Sequence, residues 1–467
     1  MSSHKFNVVV VGGGFSGTIL AVQLLCCDPA LRVAVIEKSN PVGRGLAYST
    51  ESRFHLLNVP ASNMSALPNE PGDFLRWAQA NYNPAVQPRS FLSRALYGRY
   101  IAYLLKRATA AGERSRFEWV QDEAVSVRAS QRQFEVKRRH GPELAAEAVV
   151  LALGNFPPAN PRVPGLGGKC QRYFPLAWSK ETLSDLPLNG TVLLLGSGLT
   201  SLDLIMALKS RGFHGKIHVV SRRGLLPQRH ETTRPWPLFW DCQSPQTVRC
   251  LLRLIRAEVQ MASASGNDWR AVIDALRPVT QEIWKFLPLH ERRRFLRHLR
   301  AYWEVHRHRI APEIADVLAD LIAERQVRIY AGRVIQYHEK RNFADVTIRE
   351  RNTGERFLLH VDRMINCTGS ETDCRRIESP LLASLFSHGL ARPDALLLGL
   401  DSDEKGRLIG ADGRLSEGLY AIGPVRKGCL WETTAVPEIR VQAAELATLL
   451  VRGFAAASFA QPAGTVV

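Results

Sequence analysis

The chain has 467 residues, of which 45% are hydrophobic and 22% charged, the composition of a globular protein with a substantial core. This length favours two or three domains over one. Lysine and arginine exceed the acidic residues by 17. Such a surplus can attract nucleic acid, an anionic membrane or an anionic small molecule, but composition does not say where the charge lies. We interpret it as a generally basic surface.

Eight cysteines occur without a CxxC pair and without the spacing of a zinc site, so no metal is expected. We expect free thiols, with Cys26 or Cys27 and also Cys367 buried in core segments. A strand begins within a few residues of the amino terminus, and no signal-peptide pattern precedes it. No apolar run reaches the length of a membrane span. These features predict a cytoplasmic protein without a membrane span.

The first 37 residues have the pattern of a βαβ unit. Phe6–Val11 is a β-branched run typical of a buried parallel strand, and three glycines follow it. Thr18–Leu25 predicts a helix, and Arg32–Glu37 predicts the second strand. The unit therefore has the size and order of a nucleotide-binding half of a Rossmann domain.

The glycine turn of this unit matches the dinucleotide-binding motif GxGxxG. Gly12 makes the tight turn, Gly14 lets the backbone approach a pyrophosphate, and Gly17 permits close packing of the helix on the strand. The N-terminus of the helix then presents unsatisfied N–H groups to the phosphates. Glu37, twenty residues after Gly17, is placed to accept a hydrogen bond from an adenosine ribose. The complete set predicts a bound dinucleotide.

The same order of elements returns near residue 190. Thr191–Leu195 predicts a strand, Gly196–Gly198 a turn, and Leu202–Ser210 a helix that leads to the strand Lys216–Val220. Ser201 stands in the third glycine position, where its small side chain still permits close packing. A second dinucleotide site is therefore predicted.

The second site has a distinctive end to its second strand. An NAD site places an acid there, whereas this chain has Ser221, Arg222 and Arg223. An acid would repel a 2′-phosphate, but a hydroxyl and two guanidinium groups would bind one. The sequence therefore indicates NADPH over NADH. The alternative is a pair of exposed arginines in a basic protein.

The chain resembles the two-dinucleotide-binding flavoproteins, and especially a family of bacterial FAD/NAD(P)-binding proteins. That family is distantly similar to flavin-dependent monooxygenases, both class B enzymes and those that hydroxylate amine nitrogens. The resemblance covers nearly the whole chain and is most specific in two long segments, His55–Trp77 and Gly418–Gln442. It also runs through Gly43–Tyr48, Leu96–Tyr100, Leu151–Asn155, Gly196–Ser201, Ser221–Gly224 and Asn366–Gly369.

The resemblance implies an α/β fold with two Rossmann-type dinucleotide-binding domains. The FAD domain takes residues 1–185 and 365–455, and the NAD(P) domain takes residues 186–364. A helical insertion of about 230–325 interrupts the NAD(P) domain, because apolar residues there recur at helical spacing. Residues 456–467 are small and uncharged, and they read as a flexible tail.

The resemblance also implies which residues contact FAD. The stretch Asn58–Met64 passes near the isoalloxazine. Gly423 matches the glycine of a late Gly-Asp pair whose acid holds the ribityl chain, but Pro424 follows it here, so that contact comes from elsewhere. The helix beginning near Thr434 points its N-terminus at the flavin. The residues expected at FAD are Gly12, Gly14, Phe15, Ser16, Gly17, Glu37, Lys38, Asn58, Met64, Val125, Gly154, Thr368, Gly369 and Gly423, and those expected at NADPH are Gly196, Ser197, Gly198, Leu199, Thr200, Ser221, Arg222 and Arg223.

These features favour an NADPH-dependent, FAD-containing oxidoreductase. Among its relatives the resemblance points to a monooxygenase that uses molecular oxygen through a C4a-hydroperoxyflavin and acts on a small, anionic metabolite. Two alternatives stay open: an NAD(P)H dehydrogenase that passes electrons to a quinone or protein acceptor, and a non-catalytic flavin-based redox sensor. A thiol–disulfide reductase is disfavoured, because no cysteine pair is spaced for it.

Two regions are candidates for substrate contact. His230 and Glu231 follow the nicotinamide half-site, and the basic helical run 292–309 contains Trp303 and His306. The run could form a cationic wall facing an anionic substrate, or it could be a solvated basic helix. Because it interrupts a nicotinamide domain, we interpret it as a substrate cap and do not expect a nucleic-acid surface. No catalytic residue is assigned.

Overall fold

The computed structural model describes residues 5–39, 43–110, 116–130, 133–167, 170–241, 243 and 246–459. The elements of the first third, in chain order, are β1 (Lys5–Val11), α1 (Phe15–Cys27), β2 (Val33–Glu37), α2 (Gly45–Tyr48), α3 (Asp73–Asn81), α4 (Arg94–Ala110), β3 (Phe117–Gln121), β4 (Ala124–Ser130), β5 (Gln133–Arg138) and β6 (Leu144–Leu151).

The middle and the last part of the chain continue this numbering. They contain β7 (Tyr173–Phe174), β8 (Thr191–Leu195), α5 (Leu199–Ser210), β9 (Lys216–Ser221), α6 (Val248–Ala264), α7 (Trp269–Ala275), α8 (Thr280–Phe286), α9 (Leu289–His298), α10 (Arg300–Arg307), α11 (Pro312–Ala323), β10 (Val327–Glu339), β11 (Ala344–Glu350), β12 (Arg356–Val361), β13 (Arg363–Asn366), α12 (Pro380–Ser387), β14 (Arg407–Ile409), β15 (Leu415–Ala421) and α13 (Val436–Phe459).

The chain divides into two compact units. Unit 1 consists of Met1–Glu51, Pro60–Phe156 and Thr372–Val467, and unit 2 consists of Ser52–Val59 and Pro157–Glu371. Residues 157–185, which the sequence analysis assigned to the FAD domain, fall in unit 2 because β7 pairs in parallel with β13. The short segment 52–59 is also grouped with unit 2.

Unit 1 is built on a sheet of eight strands in the order β14-β15-β6-β1-β2-β3, with the hairpin β4-β5 joined to β6. The strands β15, β6, β1, β2 and β3 are parallel. Their central members are apolar on both faces, as expected of strands covered on both sides. Helix α1 packs against α4 and α13, while α12 covers the hairpin and joins the buried core of the sheet.

Unit 2 is built on a sheet of seven strands in the order β12-β11-β10-β9-β8-β13-β7. Strands β10, β9, β8, β13 and β7 are parallel, and β10-β11-β12 form an antiparallel meander. One buried core joins the sheet to α5 and α11. Two parallel-rich sheets, each with a βαβ unit carrying a glycine turn, confirm the predicted α/β fold with two Rossmann-type domains.

Six helices, α6 to α11, lie between β9 and β10 in the described part of the chain, where the sequence predicts the helical insertion. Part of the insertion has its own core, in which Trp240, Leu276 and Val279 are buried. The basic run 292–309 differs from the single helix expected, because a break at Leu299 divides it into α9 and α10. Its charged side chains therefore lie on two short helices.

Two further predictions concern the burial of the cysteines and the C-terminal tail. Cys26 and Cys27 lie in α1 as expected but are exposed, because the last turn of the helix extends beyond the core. The prediction that one of them is buried was wrong, whereas Cys367 is buried. The predicted tail, 456–467, lies outside the described residues except for its first four, which continue α13. Among the described residues, no helix is long and apolar enough to cross a bilayer.

Candidate dinucleotide-binding site

The first glycine turn connects β1 to α1, and two of its glycines are required by backbone packing. Gly12 has φ +107°, and a Cβ there would lie 2.2 Å from the carbonyl oxygen of Ala152. A Cβ at Gly17 would lie 1.9 Å from the carbonyl oxygen of Gly12. Any side chain at either position would therefore displace backbone, so these two residues bring α1 against the ends of β1 and β6.

Gly14 has a different environment. It is the N-cap of α1 in an extended conformation, and the nearest atom to a Cβ placed there is Cα of Gly45 at 3.6 Å. No side chain caps this helix, and no acidic residue lies in its first turn, which begins with Phe15 and Ser16. The N-terminal amides of α1 therefore have no side-chain cap, and such a helix terminus fits the pyrophosphate of a dinucleotide.

Glu37 ends β2 and is tied to the glycine turn. Its Oε2 accepts a hydrogen bond from the amide of Gly13 at 2.7 Å, and its Oε1 accepts from the amide and hydroxyl of Ser39 at 2.8 and 2.6 Å. A carboxylate has about four acceptor positions, so it can hold the turn and still accept from a ribose hydroxyl. The neighbouring Lys38 is exposed, and Val125 on β4 is half-buried.

Met64 and Gly154 are the remaining early FAD candidates in unit 1. Met64 is buried after a single 3-10 turn, Ala61–Asn63. Gly154 follows β6 with φ +66°, and a Cβ there would meet no atom within 4 Å. It is thus a glycine for conformational reasons, with free space beside it.

Three of the expected FAD residues fall in unit 2. Asn58 is half-buried, and its carbonyl oxygen lies 2.9 Å from Nε2 of His230. Thr368 donates from its hydroxyl to Oδ1 of Asn366 at 2.7 Å. Gly369 has φ +89° with no atom within 4 Å of a Cβ placed there. Gly369 and Gly154 therefore share a positive φ and open surroundings, which are features of a backbone that a ligand approaches closely.

The second glycine turn repeats the first in detail. Gly196 has φ +108°, and a Cβ there would lie 2.4 Å from the carbonyl oxygen of Cys367. Ser201, at the third glycine position, is fully buried and donates from Oγ to the carbonyl oxygen of Gly196 at 2.6 Å. A glycine at this position would allow close packing of the helix on the strand. The serine instead stabilises the same turn with a hydrogen bond.

Gly198 is the second-site counterpart of Gly14. It is the N-cap of α5 in an extended conformation, and a Cβ there would meet no atom within 4 Å. The first turn of α5, with Leu199 and Thr200, has no acidic residue and no side-chain cap. Oγ of the preceding Ser197 donates to the carbonyl oxygen of Leu225 at 2.5 Å, which fixes the turn. This helix terminus also fits a pyrophosphate.

The two arginines after β9 are not equivalent. Arg223 donates from Nη1 to the hydroxyl of Tyr302 at 3.0 Å, and its guanidinium lies over the Tyr302 ring at 4.8 Å. The side chain of Arg222 is exposed and has no partner in the described part of the chain. The hydroxyl of Ser221 accepts from the amide of Gly224 at 3.0 Å. Arg222 is therefore the guanidinium that is available to a 2′-phosphate.

The four substrate candidates lie in different surroundings within unit 2. Trp303 packs against the core of the insertion. Nδ1 of His306 lies 2.8 Å from the carbonyl oxygen of Tyr302. Glu231 is half exposed and forms an ion pair with Arg229 at 2.9 Å. His230 contacts Asn58, which belongs to the segment expected near the flavin.

The half-buried position of His230 affects its charge. Burial lowers the pKa of this imidazole to about 4, and the positive charge of Arg309 acts in the same direction. The ring is therefore neutral at neutral pH, and its Nε2–H donates to the Asn58 carbonyl, because a carbonyl oxygen can only accept.

The structure also brings in residues that sequence reasoning missed. His55 places Nε2 3.1 Å from the carbonyl oxygen of Asp203 on α5 and stacks edge-on against Trp178. Arg426 and Gln442 form a buried network around Gly423. All of them except Trp178 lie inside the two segments that carry the resemblance or beside a glycine turn. Their location in these segments could have drawn attention to them from the sequence. Their contacts, however, join residues that are far apart in the chain, so the sequence does not reveal their roles.

None of the described cysteines forms a disulfide. The seven described cysteines are free, and Cys242 lies outside the described residues. Cys26 and Cys27 are at the C-terminal end of α1, the opposite end from Gly14. Burial raises the pKa of the Cys367 thiol to about 12, which keeps it protonated and unreactive.

Comparisons with known proteins agree with this geometry. Residues 9–156 match the sequence model of a family described as FAD-NAD(P)-binding. That span contains the end of β1, the first glycine turn, Glu37 and Gly154. The match confirms the resemblance to dinucleotide-binding flavoproteins and the expectation of FAD and NAD(P) as cofactors. A search of curated protein sequences finds no match.

Solved structures share the fold of almost the whole chain. The reduced form of ornithine hydroxylase from Pseudomonas aeruginosa has a TM-score of 0.65 at 15% identity, over 96% of this chain and 99% of that one. The ornithine N-hydroxylase of Kutzneria sp. 744, with reduced FAD, NADP⁺ and L-ornithine, has a TM-score of 0.61 at 15% identity, over 96% and 100%.

A third similar structure comes from another reaction class. Bacillithiol disulfide reductase from Staphylococcus aureus has a TM-score of 0.58 at 12% identity, over 96% of this chain and 99% of that one. The three structures have one fold and different chemistry. The N-terminal part of the chain thus carries a domain of the FAD-NAD(P)-binding type, and the whole chain has the fold that these solved structures share.

Proposed function

We propose that this chain is an NADPH-dependent flavin monooxygenase that hydroxylates an amine nitrogen of a small, carboxylate-bearing metabolite. The proposal is supported by the fold it shares with the two ornithine hydroxylases over 96% of its length. When bound, FAD supplies the redox chemistry, since it takes two electrons from NADPH and activates molecular oxygen.

In this proposal the two glycine turns hold the cofactors. The N-terminal amides of α1 bind the FAD pyrophosphate, and Glu37 accepts from the adenosine ribose while it holds the amide of Gly13. The N-terminal amides of α5 bind the pyrophosphate of NADPH, and Arg222 pairs with its 2′-phosphate. Arg223 takes a secondary part, because Tyr302 already engages its guanidinium.

The observation that carries the choice of reaction is the placement of the thiols. A disulfide reductase needs a reactive cysteine beside the flavin or a pair that passes electrons onward. Here the adjacent pair Cys26 and Cys27 is at the far end of α1, about 20 Å along the helix axis from its phosphate-binding end. Cys367, beside the second glycine turn, is buried and protonated. Neither the adjacent pair nor Cys367 therefore has the features of a redox-active thiol, which supports a diffusible electron acceptor.

His230 has the most favourable position of the four substrate candidates. Its neutral ring donates to the carbonyl of Asn58, a residue that the resemblance places beside the isoalloxazine. His230 also begins the connection into the helical insertion, where Glu231, Trp303 and His306 lie. We propose that this imidazole fixes the flavin-side segment against the substrate-binding insertion.

The test is oxygen incorporation by the purified protein loaded with FAD. NADPH oxidation is followed with L-ornithine, L-lysine and their decarboxylated counterparts putrescine and cadaverine, under ¹⁸O₂, with hydroxylamine and peroxide measured together. The proposal predicts labelled hydroxylamine with a carboxylate-bearing diamine, and less product from the decarboxylated amines.

The contrary outcome is equally clear. Rapid anaerobic NADPH oxidation with menadione, together with no ¹⁸O in any product, would replace the monooxygenase by an NAD(P)H dehydrogenase. Negligible turnover under both conditions would replace it by a flavin-based sensor.

A further inference from the structure

A buried arginine, Arg426, lies close to Gly423 in unit 1. Gly423 is followed by Pro424, and three residues after Gly423 lies Arg426, which is 3% exposed. Its Nη2 donates to the carbonyl oxygens of Asp403 and Glu404 at 2.8 and 2.9 Å. The guanidinium is therefore held rigidly inside unit 1.

The remaining donors of Arg426 face neutral groups. Nε donates to Oγ of Ser402 at 3.3 Å, and Nη1 donates to Oε1 of Gln442 at 3.4 Å. No carboxylate forms an ion pair with it in the described part of the chain, and the nearby Asp403 is paired with Arg407. Since arginine stays protonated in proteins, this is a buried positive charge that Asp403, Glu404 and Glu445 offset only without a direct ion pair. Such a charge is costly unless something negative offsets it.

Gln442 connects this charge to Gly423. Its Oε1 also accepts from the amide of Gly423 at 3.3 Å, and its Nε2 donates to Oγ1 of Thr433 at 2.7 Å. Thr433 in turn donates to the carbonyl oxygen of Gly423 at 3.2 Å. Both backbone polar groups of Gly423 are thus bonded inside one network, in which Gln442 and Thr433 are buried.

The same network abuts the first glycine turn. Gly423 has φ +78°, and a Cβ there would lie 2.4 Å from Oγ of Ser16, in the first turn of α1. Thr433 lies three residues before α13, the helix whose N-terminus the resemblance directs at the flavin. The buried charge is therefore attached to backbone at the FAD site, where the expected acid is missing.

We infer that Arg426 is an electrostatic positioning residue for FAD, which through Gln442 orients Gly423 and stabilises the negative charge of the reduced flavin. The inference rests on the FAD site and not on the proposed reaction with oxygen. It predicts that removal or neutralisation of this charge weakens the binding of reduced FAD more than that of oxidised FAD.

Four variants of the FAD-loaded protein test the inference. Arg426→Met removes the charge, and Gln442→Glu places a carboxylate of the same shape beside it, with loss of the hydrogen bond that Gln442 donates to Thr433. Arg426→Lys keeps the charge, and Arg452→Met makes the same charge change at an exposed position further along α13. Kd is measured anaerobically for reduced and for oxidised FAD, and the ratio of the two constants is the readout. This ratio requires no substrate and no turnover.

The expected ratio rises by about ten-fold in Arg426→Met and Gln442→Glu, the order of magnitude for the loss of one charge interaction in a protein interior. It stays unchanged in Arg426→Lys and Arg452→Met. If Arg426→Met does not fold, the ratio measured for Gln442→Glu tests the inference by itself. An unchanged ratio in Gln442→Glu, or an equal change in Arg452→Met, overturns the inference, and neither result affects the proposed reaction.

Discussion

The guanidinium of Arg223 lies over the ring of Tyr302, 4.8 Å from its centroid, and donates to the Tyr302 hydroxyl at 3.0 Å. This pair connects the end of β9, where a 2′-phosphate would bind, to α10 of the helical insertion. It also separates two arginines that are adjacent in sequence, because Arg222 has no such partner among the described residues. Of these two arginines, Arg223 contacts the insertion, and Arg222 is the one that we propose pairs with the coenzyme.

The first prediction concerns coenzyme preference. Arg222→Ala should raise KM for NADPH by roughly ten-fold to a hundred-fold, the loss expected for hydrogen bonds to a charged group. KM for NADH should change little, because NADH lacks the 2′-phosphate. Arg223→Ala should have a smaller effect, and the double variant should approach equal use of both coenzymes. Steady-state kinetics with each coenzyme measure this, with exposed Arg333→Ala as the control. Equal changes for NADH and NADPH would remove Arg222 from the phosphate site.

The second prediction separates the two roles of glycine in one turn. Gly196→Ala should destabilise unit 2 by several kcal/mol, because its Cβ would collide with the carbonyl of Cys367 at a positive φ. Gly198→Ala should leave the melting temperature unchanged, because that position has extended backbone and open space. It should nevertheless weaken NADPH binding, since the pyrophosphate would occupy that space. Calorimetry and coenzyme titration test both parts. Normal NADPH affinity in folded Gly198→Ala would mean that the coenzyme does not approach α5.

The third prediction is a loss of stability in mild acid. Burial lowers the pKa of His218 to about 4, with the charges of Arg328 and Lys216 acting in the same direction. In the unfolded chain this pKa is about 6.5, so the unfolded state binds the proton first as the pH falls. The stabilisation is fully present above pH 6.5 and is lost between about pH 6.5 and 4, by up to about 3 kcal/mol.

His230 has the same direction of shift and adds to the loss. Denaturant unfolding across this pH range measures the slope, which should become shallower in His218→Phe and stay unchanged in a matched His338→Phe variant, where the ring is exposed. A slope that is identical in His218→Phe and the unaltered protein would show that His218 is not neutral in the fold.

The fourth prediction concerns the coupling of NADPH oxidation to product. His230→Phe removes the donor to the Asn58 carbonyl, which should loosen the segment 52–59. KM for NADPH should stay unchanged, while the fraction of NADPH oxidation that yields hydrogen peroxide should increase several-fold. His230→Gln, which keeps an N–H donor, should restore part of the coupling. Peroxide and NADPH consumption measured in the same reaction test this. If Phe and Gln variants behave alike, the hydrogen bond to Asn58 has no part in coupling.

The sequence predicted the fold well because dinucleotide binding imposes strict local chemistry. Gly12, Gly17 and Gly196 are glycines because backbone atoms lie within 2.4 Å of where a side chain would begin. Such constraints act within a short stretch of consecutive residues, so a sequence motif is enough to predict them. The exchange of a glycine for Ser201 also stays within local chemistry, since its Oγ bonds the turn that precedes it.

The finer features of the site could not be read in the same way. Whether Arg222 or Arg223 is available depends on Tyr302, which is about eighty residues away in the chain. The network of Arg426 and Gln442 depends on the loop that carries Asp403 and Glu404. The exposure of Cys26 and Cys27 depends on where the core ends along α1. Each is a tertiary relationship between segments that are separated in sequence, so periodicity and spacing do not contain it.

The most direct test of the central claim is a titration of the purified protein with FAD, followed by anaerobic addition of NADPH and, separately, NADH. The account predicts about one bound FAD per chain with a flavin absorbance spectrum, and bleaching of that absorbance by NADPH at a lower concentration than by NADH. A protein that takes up no FAD, or a bound flavin that NADPH leaves oxidised, would contradict it.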